Sequence, residues 1–171
     1  MIIEERVERS QYVKLITWIV SFIILMAGIV FPVLILWVNQ DMMSKVIGAS
    51  VLCLIFFTLI FTVAYQPRKL ILSETHIIME RILGQVYISY SDITDISLYH
   101  RENVAEIRIF GIGGLGGYIG KFYNSKIGFY TAYLGDYSQA FLIKINNREK
   151  YVMSCRHAEK IVEEVKSRLK Q

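Results

Sequence analysis

Residues 15–38 read LITWIVSFIILMAGIVFPVLILWV and residues 46–65 read VIGASVLCLIFFTLIFTVAY, and neither stretch contains Asp, Glu, Lys or Arg. At about 1.5 Å of rise per residue, a helix of either length crosses a hydrocarbon core of about 30 Å. A secretory signal has an apolar region of only about 7–15 residues, and a small-residue cleavage site follows it. A buried helix of a soluble core usually keeps a polar face. The two stretches therefore predict a transmembrane hairpin that turns within residues 39–45.

The basic residues beside the two stretches predict the orientation of the hairpin. Residues 39–45 hold only Lys45, whereas the outer flanks hold Arg6, Arg9, Lys14, Arg68 and Lys69. Because Lys and Arg are enriched in cytoplasmic loops of membrane proteins, we expect a multi-pass protein with both termini in the cytoplasm. Pro32 follows Gly28 by one turn, and we expect it to kink the first helix.

The composition changes near Gln66, where charged residues become frequent. We therefore divide the chain into residues 1–66, which carry the hairpin with spans at about 15–38 and 46–65, and residues 67–171, which form one domain. The chain has a formal net charge of +4, but its cations are dispersed among acidic residues, so we expect no nucleic-acid partner. Cys53 lies in the second span and Cys155 near the final residues, so we expect no disulfide and a reducing compartment.

The domain shows the pattern of short strands followed by one helix. Alternating β-branched and aromatic residues predict strands at 69–72, 76–82, 86–90, 95–100, 104–110, 129–134, 140–146 and 150–154. Strands at this spacing are typical of an antiparallel barrel or sandwich. The last segment changes to helical spacing, with Ala158, Ile161, Val162, Val165 and Leu169 on one face. We expect this helix to pack on the strands, and a dimerising helix is the rival interpretation.

Three local patterns resemble the bacterial pleckstrin-homology-like (PH-like) membrane proteins. They are ISYSDI at 88–93, the glycine-rich RIFGIGGLGGYIGKFYN at 108–124, and YVMS at 151–154 before the final helix. The glycine-rich segment resembles an insertion of one subgroup, whereas Cys155, Arg156 and His157 replace the proline and acidic residues that commonly open that subgroup's helix. The resemblance implies an α+β membrane protein of the bacterial inner (plasma) membrane. Its two-helix transmembrane hairpin would precede a cytoplasmic, antiparallel PH-like barrel or sandwich capped by a C-terminal helix.

The glycine-rich segment also contains a literal G-x-G-x-x-G motif at residues 111–116. In a dinucleotide-binding unit this motif opens a helix, but Gly117 and Gly120 follow here, so we expect no nucleotide and no other cofactor. Two interpretations stay open for the segment. It is either a flexible loop whose apolar tips meet lipid headgroups or a partner, or a long hairpin folded over one end of the barrel.

Binding, and not catalysis, is the expected activity. The three histidines are scattered over separate elements without metal-ligand spacing, Asp92 and Asp95 suit turn capping, and no nucleophile or phosphate-binding motif occurs. We expect a protein-interaction or scaffold module at the inner membrane, with a protein partner or self-association besides the lipid bilayer. Lipid-headgroup recognition is the alternative, and an accessory subunit of a membrane enzyme or transporter is a more remote one. The candidate binding residues are Arg108, Gly113, Gly114, Leu115, Gly116, Tyr118, Lys121 and Lys126.

Overall fold

The computed structural model of the protein describes residues 2–38, 41–101, 106–146 and 148–169. Two apolar helical segments dominate the first part. The first comprises helix α1 (Gln11–Leu25), a π-helical segment (Met26–Val30) and helix α2 (Phe31–Val38). The second is helix α3 (Met42–Ala64). Both segments are long and apolar enough to cross a membrane, and few of their side chains are buried within the protein.

Polar caps and the proline explain the local form of these helices. The Ser10 side chain accepts the Val13 N–H at 3.2 Å, and the Asp41 carboxylate accepts the Ser44 N–H at 2.9 Å. The π-helical segment lies where a kink was expected. Pro32 has no N–H to donate to the preceding turn, and the wider π turn is one way to accommodate that loss. Asn39 and Gln40 of the predicted turn lie outside the described residues.

The first sheet contains a strand that the sequence pattern did not predict. Its order is β1 (Ile3–Arg6), β2 (Pro67–Leu72), β3 (His76–Arg81) and β4 (Gln85–Ser89), all antiparallel. Strand β1 precedes the apolar helices, yet Ile3 pairs with Leu72 and Arg6 with Lys69. We had assigned residues 3–6 to the same segment as the transmembrane hairpin. They instead form the edge strand of a sheet whose other strands lie between residues 67 and 89.

The second sheet has six strands in the order β5, β9, β10, β8, β7, β6. They are β5 (Ile93–Leu98), β6 (Glu106–Gly113), β7 (Tyr118–Asn124), β8 (Gly128–Leu134), β9 (Ala140–Ile145) and β10 (Lys150–Ser154). We expected antiparallel pairing throughout, but β10 pairs with β8 in parallel. Strand β7 was not predicted, because the glycine-rich residues around its start resemble a loop. Val104 and Ala105 of the predicted strand 104–110 lie outside the described residues.

The main hydrophobic core lies between the two sheets and helix α4 (Ala158–Leu169). The predicted apolar face of α4 is buried at Ala158, Ile161, Val162 and Val165, and Leu169 packs against the same core. This face is therefore used within the chain, as we expected. A second buried cluster, which includes Phe122 and Tyr130, lies on the opposite face of the six-stranded sheet.

Candidate functional site

The glycine-rich segment forms a hairpin of strands β6 and β7, and only residues 114–117 form its turn. Gly111 pairs with Gly120, and their φ angles are 119° and 122°. A Cβ on Gly111 would lie 2.1 Å from the Ile119 carbonyl oxygen, and one on Gly120 would lie 2.2 Å from that of Phe110. Both positions therefore need glycine. The segment is a hairpin, as one of the two interpretations expected, and a strand follows the G-x-G-x-x-G motif where a dinucleotide site has a helix.

The hairpin turn contacts the start of helix α1. The Gly116 N–H donates to the Thr17 hydroxyl at 2.8 Å, and that hydroxyl donates to the Val13 carbonyl at 2.6 Å. A Cβ on Gly116 would lie 1.9 Å from Nε2 of Gln66, a residue that is only 6% exposed. Gly114 and Gly116 are thus buried against α1 and Gln66, and Leu115 is half-buried between them.

Arg108, Gly113 and Tyr118 lie together on one face of the hairpin. They line a cavity of about 340 Å³ together with Arg101, Glu106, Phe122 and Tyr137. In the pairing of β6 with β7, Arg108 lies opposite Phe122 and Gly113 lies opposite Tyr118. Because the Gly113 backbone lies close to the Arg108 guanidinium, with a hypothetical Cβ 3.3 Å from Nη1, the arginine side chain extends along β6 toward the turn.

A buried carboxylate forms the polar part of this cavity. The Glu106 side chain is 3% exposed, accepts a hydrogen bond from the Tyr137 hydroxyl at 2.7 Å, and lies 3.0 Å from Nε of Arg101. The Arg101 guanidinium also lies 4.7 Å from the centroid of the Tyr137 ring. Burial, and then the bond to Glu106, raise the pKa of Tyr137 well above its ordinary value, and burial raises that of Tyr118. Tyr137 therefore stays protonated and donates its hydroxyl proton to the carboxylate.

Lys121 and Lys126 lie away from that cavity. Lys121 points to the opposite face of the sheet, where it lines a groove of about 420 Å³ with Arg148, Lys150 and aromatic residues of β8 and β10. Lys126 lies in the turn between β7 and β8, where its N–H donates to the Asn124 side chain at 2.8 Å. The eight residues that we selected from the sequence therefore fall into four places, and they do not line one common pocket.

Strand β6 forms an open edge of the six-stranded sheet. Its exposed side chains include Ile107 and Ile109, each 55% exposed, and Phe110, which is 73% exposed. Soluble proteins usually protect such an edge with charges, prolines or a covering segment, because its free backbone groups can pair with another chain. A long apolar edge is therefore a candidate surface for binding.

The positions of the metal-ligating side chains and of Cys155 bear on two further kinds of site. Within residues 2–38, 41–101, 106–146 and 148–169, no group of three His, Cys, Asp or Glu side chains is placed to hold a metal ion. Burial raises the pKa of the Cys155 thiol to about 12, so this thiol stays protonated and weakly nucleophilic at neutral pH.

Together, these elements define a β domain of two sheets that is closed by a C-terminal helix and preceded by two apolar helical segments. A family model described as Bacterial PH domain matches residues 68–169. The chain therefore belongs to the bacterial PH-domain family, and the resemblance noted from its sequence motifs is confirmed. Neither a curated protein nor a solved structure matches the chain significantly.

Proposed function

We propose that the protein is a non-enzymatic module of the bacterial inner membrane, and that its PH domain binds an extended segment of a partner protein along strand β6. The two apolar helices would cross the bilayer and hold the domain at the cytoplasmic face. Their side chains support this insertion, because rings such as Trp18 (78% exposed) and Phe57 (67% exposed) would otherwise face water.

The basic residues support the cytoplasmic placement of both termini. The PH domain connects to the apolar helices at one end only, where β1 leads into α1 and α3 leads into β2. Five of the Lys and Arg residues that flank the apolar stretches lie at this end. The opposite side, at the start of α3, holds Lys45 beside Asp41. Because the positive-inside rule places the richer side in the cytoplasm, the PH domain would lie there as well.

The exposed edge of β6 is the observation that carries the binding proposal. A strand added to this edge would form main-chain hydrogen bonds, and its alternate side chains would reach the two faces of β6. On one face they would meet Ile107 and Phe110, and on the other they would meet the cavity beside Arg108 and Tyr118. The edge therefore offers both affinity and a means of selecting side chains.

The alternative of headgroup recognition by Arg108, Lys121 and Lys126 has less support. These cations lie on different faces or turns of the domain, so they cannot close around one phosphate. A catalytic role for the buried carboxylate has no specific support either: the Tyr137 hydroxyl donates to one Glu106 oxygen, and the other oxygen lies 3.0 Å from Nε of Arg101 in an ion pair without a hydrogen bond.

Site-specific photo-crosslinking in membranes tests the proposal. A photoreactive residue replaces Ile107 as the probe. The test variant also carries Phe110→Lys on the edge strand β6. The control variant instead carries Phe129→Lys, because Phe129 is also exposed but lies on the inner strand β8. We expect a discrete adduct that Phe110→Lys reduces by about tenfold or more, since an edge charge opposes strand addition, and that Phe129→Lys leaves unchanged.

The adduct also distinguishes the class of partner. An adduct of twice the chain's own mass would indicate self-association through β6. An adduct that both lysine substitutions reduce equally, or that neither reduces, would argue against strand addition at this edge.

A further inference from the structure

A basic cavity of about 600 Å³ lies where strand β1 leads into α1 and where α3 leads into β2. The sequence separates its two walls by more than forty residues, so the cavity exists only because β1 pairs with β2. Its charged lining residues are Arg6, Glu8, Arg9, Lys14, Arg68 and Lys69.

The positive charge of this cavity is incompletely neutralised. Glu8 lies 3.3 Å from Arg156, which is outside the cavity, and Lys69 lies 3.4 Å from Glu4. The Arg9 guanidinium donates to the neutral side chain of Gln66. Among the described residues, no ion pair involves the exposed cations Arg6, Lys14 and Arg68.

The cavity also lies at a defined depth along the helices. Lys14 is the last charged residue before the uncharged stretch 15–38, and Arg68 is the first charged residue after the uncharged stretch 46–65. Exposed aromatic rings of Tyr12 and Trp18 flank Lys14 on α1, as is common at the membrane interface. If the apolar stretches fill the hydrocarbon core, the cavity faces the level of the lipid headgroups.

We propose that this cavity binds the phosphate of an anionic phospholipid in the cytoplasmic leaflet. The proposal rests on the proposed membrane insertion but is independent of the partner edge at β6. Arginine suits this ligand because its guanidinium offers paired N–H donors to phosphate oxygens. Anionic leaflets attract juxtamembrane cations, and each one contributes about fivefold in affinity near the surface.

Fluorescence quenching by lipids with brominated acyl chains tests this assignment on the full chain. The variant Trp37→Phe leaves Trp18, one helical turn beyond Lys14, as the single tryptophan. The protein is placed in nanodiscs of phosphatidylcholine that contain the same small share of either brominated phosphatidylglycerol or brominated phosphatidylcholine. We expect brominated phosphatidylglycerol to quench Trp18 more strongly, because the cavity enriches that lipid beside the reporter.

Charge-matched variants locate the effect. Arg68→Gln should lower the preference for phosphatidylglycerol by about fivefold, and Arg6→Gln with Lys14→Gln and Arg68→Gln should abolish it. The control carries Arg148→Gln, Lys160→Gln and Lys166→Gln, which remove the same charge from exposed positions outside the cavity, and it should keep the preference. Because Arg68→Gln alone leaves the other flanking cations in place, a changed helix orientation cannot account for its effect.

Each contrary result identifies what failed. Equal quenching by the two brominated lipids, or equal loss in the cavity and control variants, would overturn the lipid site while leaving membrane insertion intact. Absence of quenching by either lipid would overturn insertion and the site with it. If inorganic phosphate at constant ionic strength leaves the preference for phosphatidylglycerol unchanged even at high concentration, the cavity does not recognise the phosphate group and the assignment is wrong.

Discussion

Substitution of Gly111 by alanine should separate strand β6 from β7, whereas the same substitution at Gly113 should be tolerated. At Gly111 the new Cβ would lie 2.1 Å from a backbone oxygen and the φ angle is 119°, so neither a rotamer change nor a small shift relieves the contact. Backbone strain of this kind costs about 1–3 kcal/mol, and each lost ladder hydrogen bond adds about 1 kcal/mol. We therefore expect the hairpin to lose about 3 kcal/mol or more.

Gly113 provides the matched control two residues further along the same strand. A Cβ there would meet side-chain atoms and no backbone: Nη1 of Arg108 at 3.3 Å, Cδ of Arg108 at 3.6 Å and Cδ1 of Tyr118 at 3.8 Å, and the long arginine side chain can shift by the few tenths of an ångström that the closest contact requires. Alanine at a position with permitted backbone angles stabilises a protein by about 0.4–1 kcal/mol, because the unfolded chain has less freedom to lose. The two alanine variants should therefore differ by at least about 3 kcal/mol in the free energy of opening the hairpin.

Hydrogen–deuterium exchange of the full chain in detergent micelles measures this difference. A loss of about 3 kcal/mol corresponds to roughly a hundredfold faster exchange of the β6 and β7 amides in Gly111→Ala. Gly120→Ala should produce the same pattern, because its Cβ would lie 2.2 Å from the Phe110 carbonyl oxygen. Equal protection of the hairpin in Gly111→Ala and Gly113→Ala would refute the reasoning.

Three further predictions concern buried polar groups. Thr17→Val should remove the acceptor of the Gly116 N–H and cost about 1–3 kcal/mol, which faster exchange of that amide would reveal; an unchanged exchange rate would mean that water replaces the hydroxyl. Tyr137→Phe should destabilise the domain by about 1–3 kcal/mol, because Glu106 loses a donor inside the protein; unfolding in urea measures the cost, and none is expected if the carboxylate is already hydrated. Since burial raises the pKa of Cys155 to about 12, maleimide labelling in a variant without the other cysteine should stay slow between pH 7 and pH 9 until the protein unfolds; rapid labelling of the native state would contradict the burial.

The sequence indicated those elements whose signal is local. The apolar spans and the buried face of α4 follow from length, composition and helical spacing, which one segment supplies by itself. Strand β1 carries no such signal, since Ile3–Arg6 reads IEER and three of its four residues are charged. Its partner β2 lies on the far side of both apolar helices in the sequence. A pattern within four residues carries no information about such a distant partner.

The sequence predicted only some of the residues that line the cavity beside Arg108. Arg108, Gly113 and Tyr118 were selected from the glycine-rich segment, and they do line one cavity. Glu106 and Tyr137, which form its buried polar contact, are 31 positions apart, and no motif joins them. The facing of Gly111 and Gly120 was equally hidden, because a high glycine content indicates a loop unless the pairing of two strands is known.

The β6–β7 hairpin connects the two proposed binding sites, the β6 edge and the basic cavity, through its contact with α1. Strand β6 ends at the turn that Thr17 fixes to α1, and α1 begins beside the basic cavity at Lys14. A partner strand bound along β6 would therefore lie at a height above the bilayer that α1 determines. Lipid bound at Lys14 and a partner bound at Phe110 would both act on the unit formed by α1 and the turn hydrogen-bonded to it. If that unit carries coupling, Thr17→Val should make photo-crosslinking at position 107 less dependent on anionic lipid, and an unchanged dependence would show that the two sites act separately.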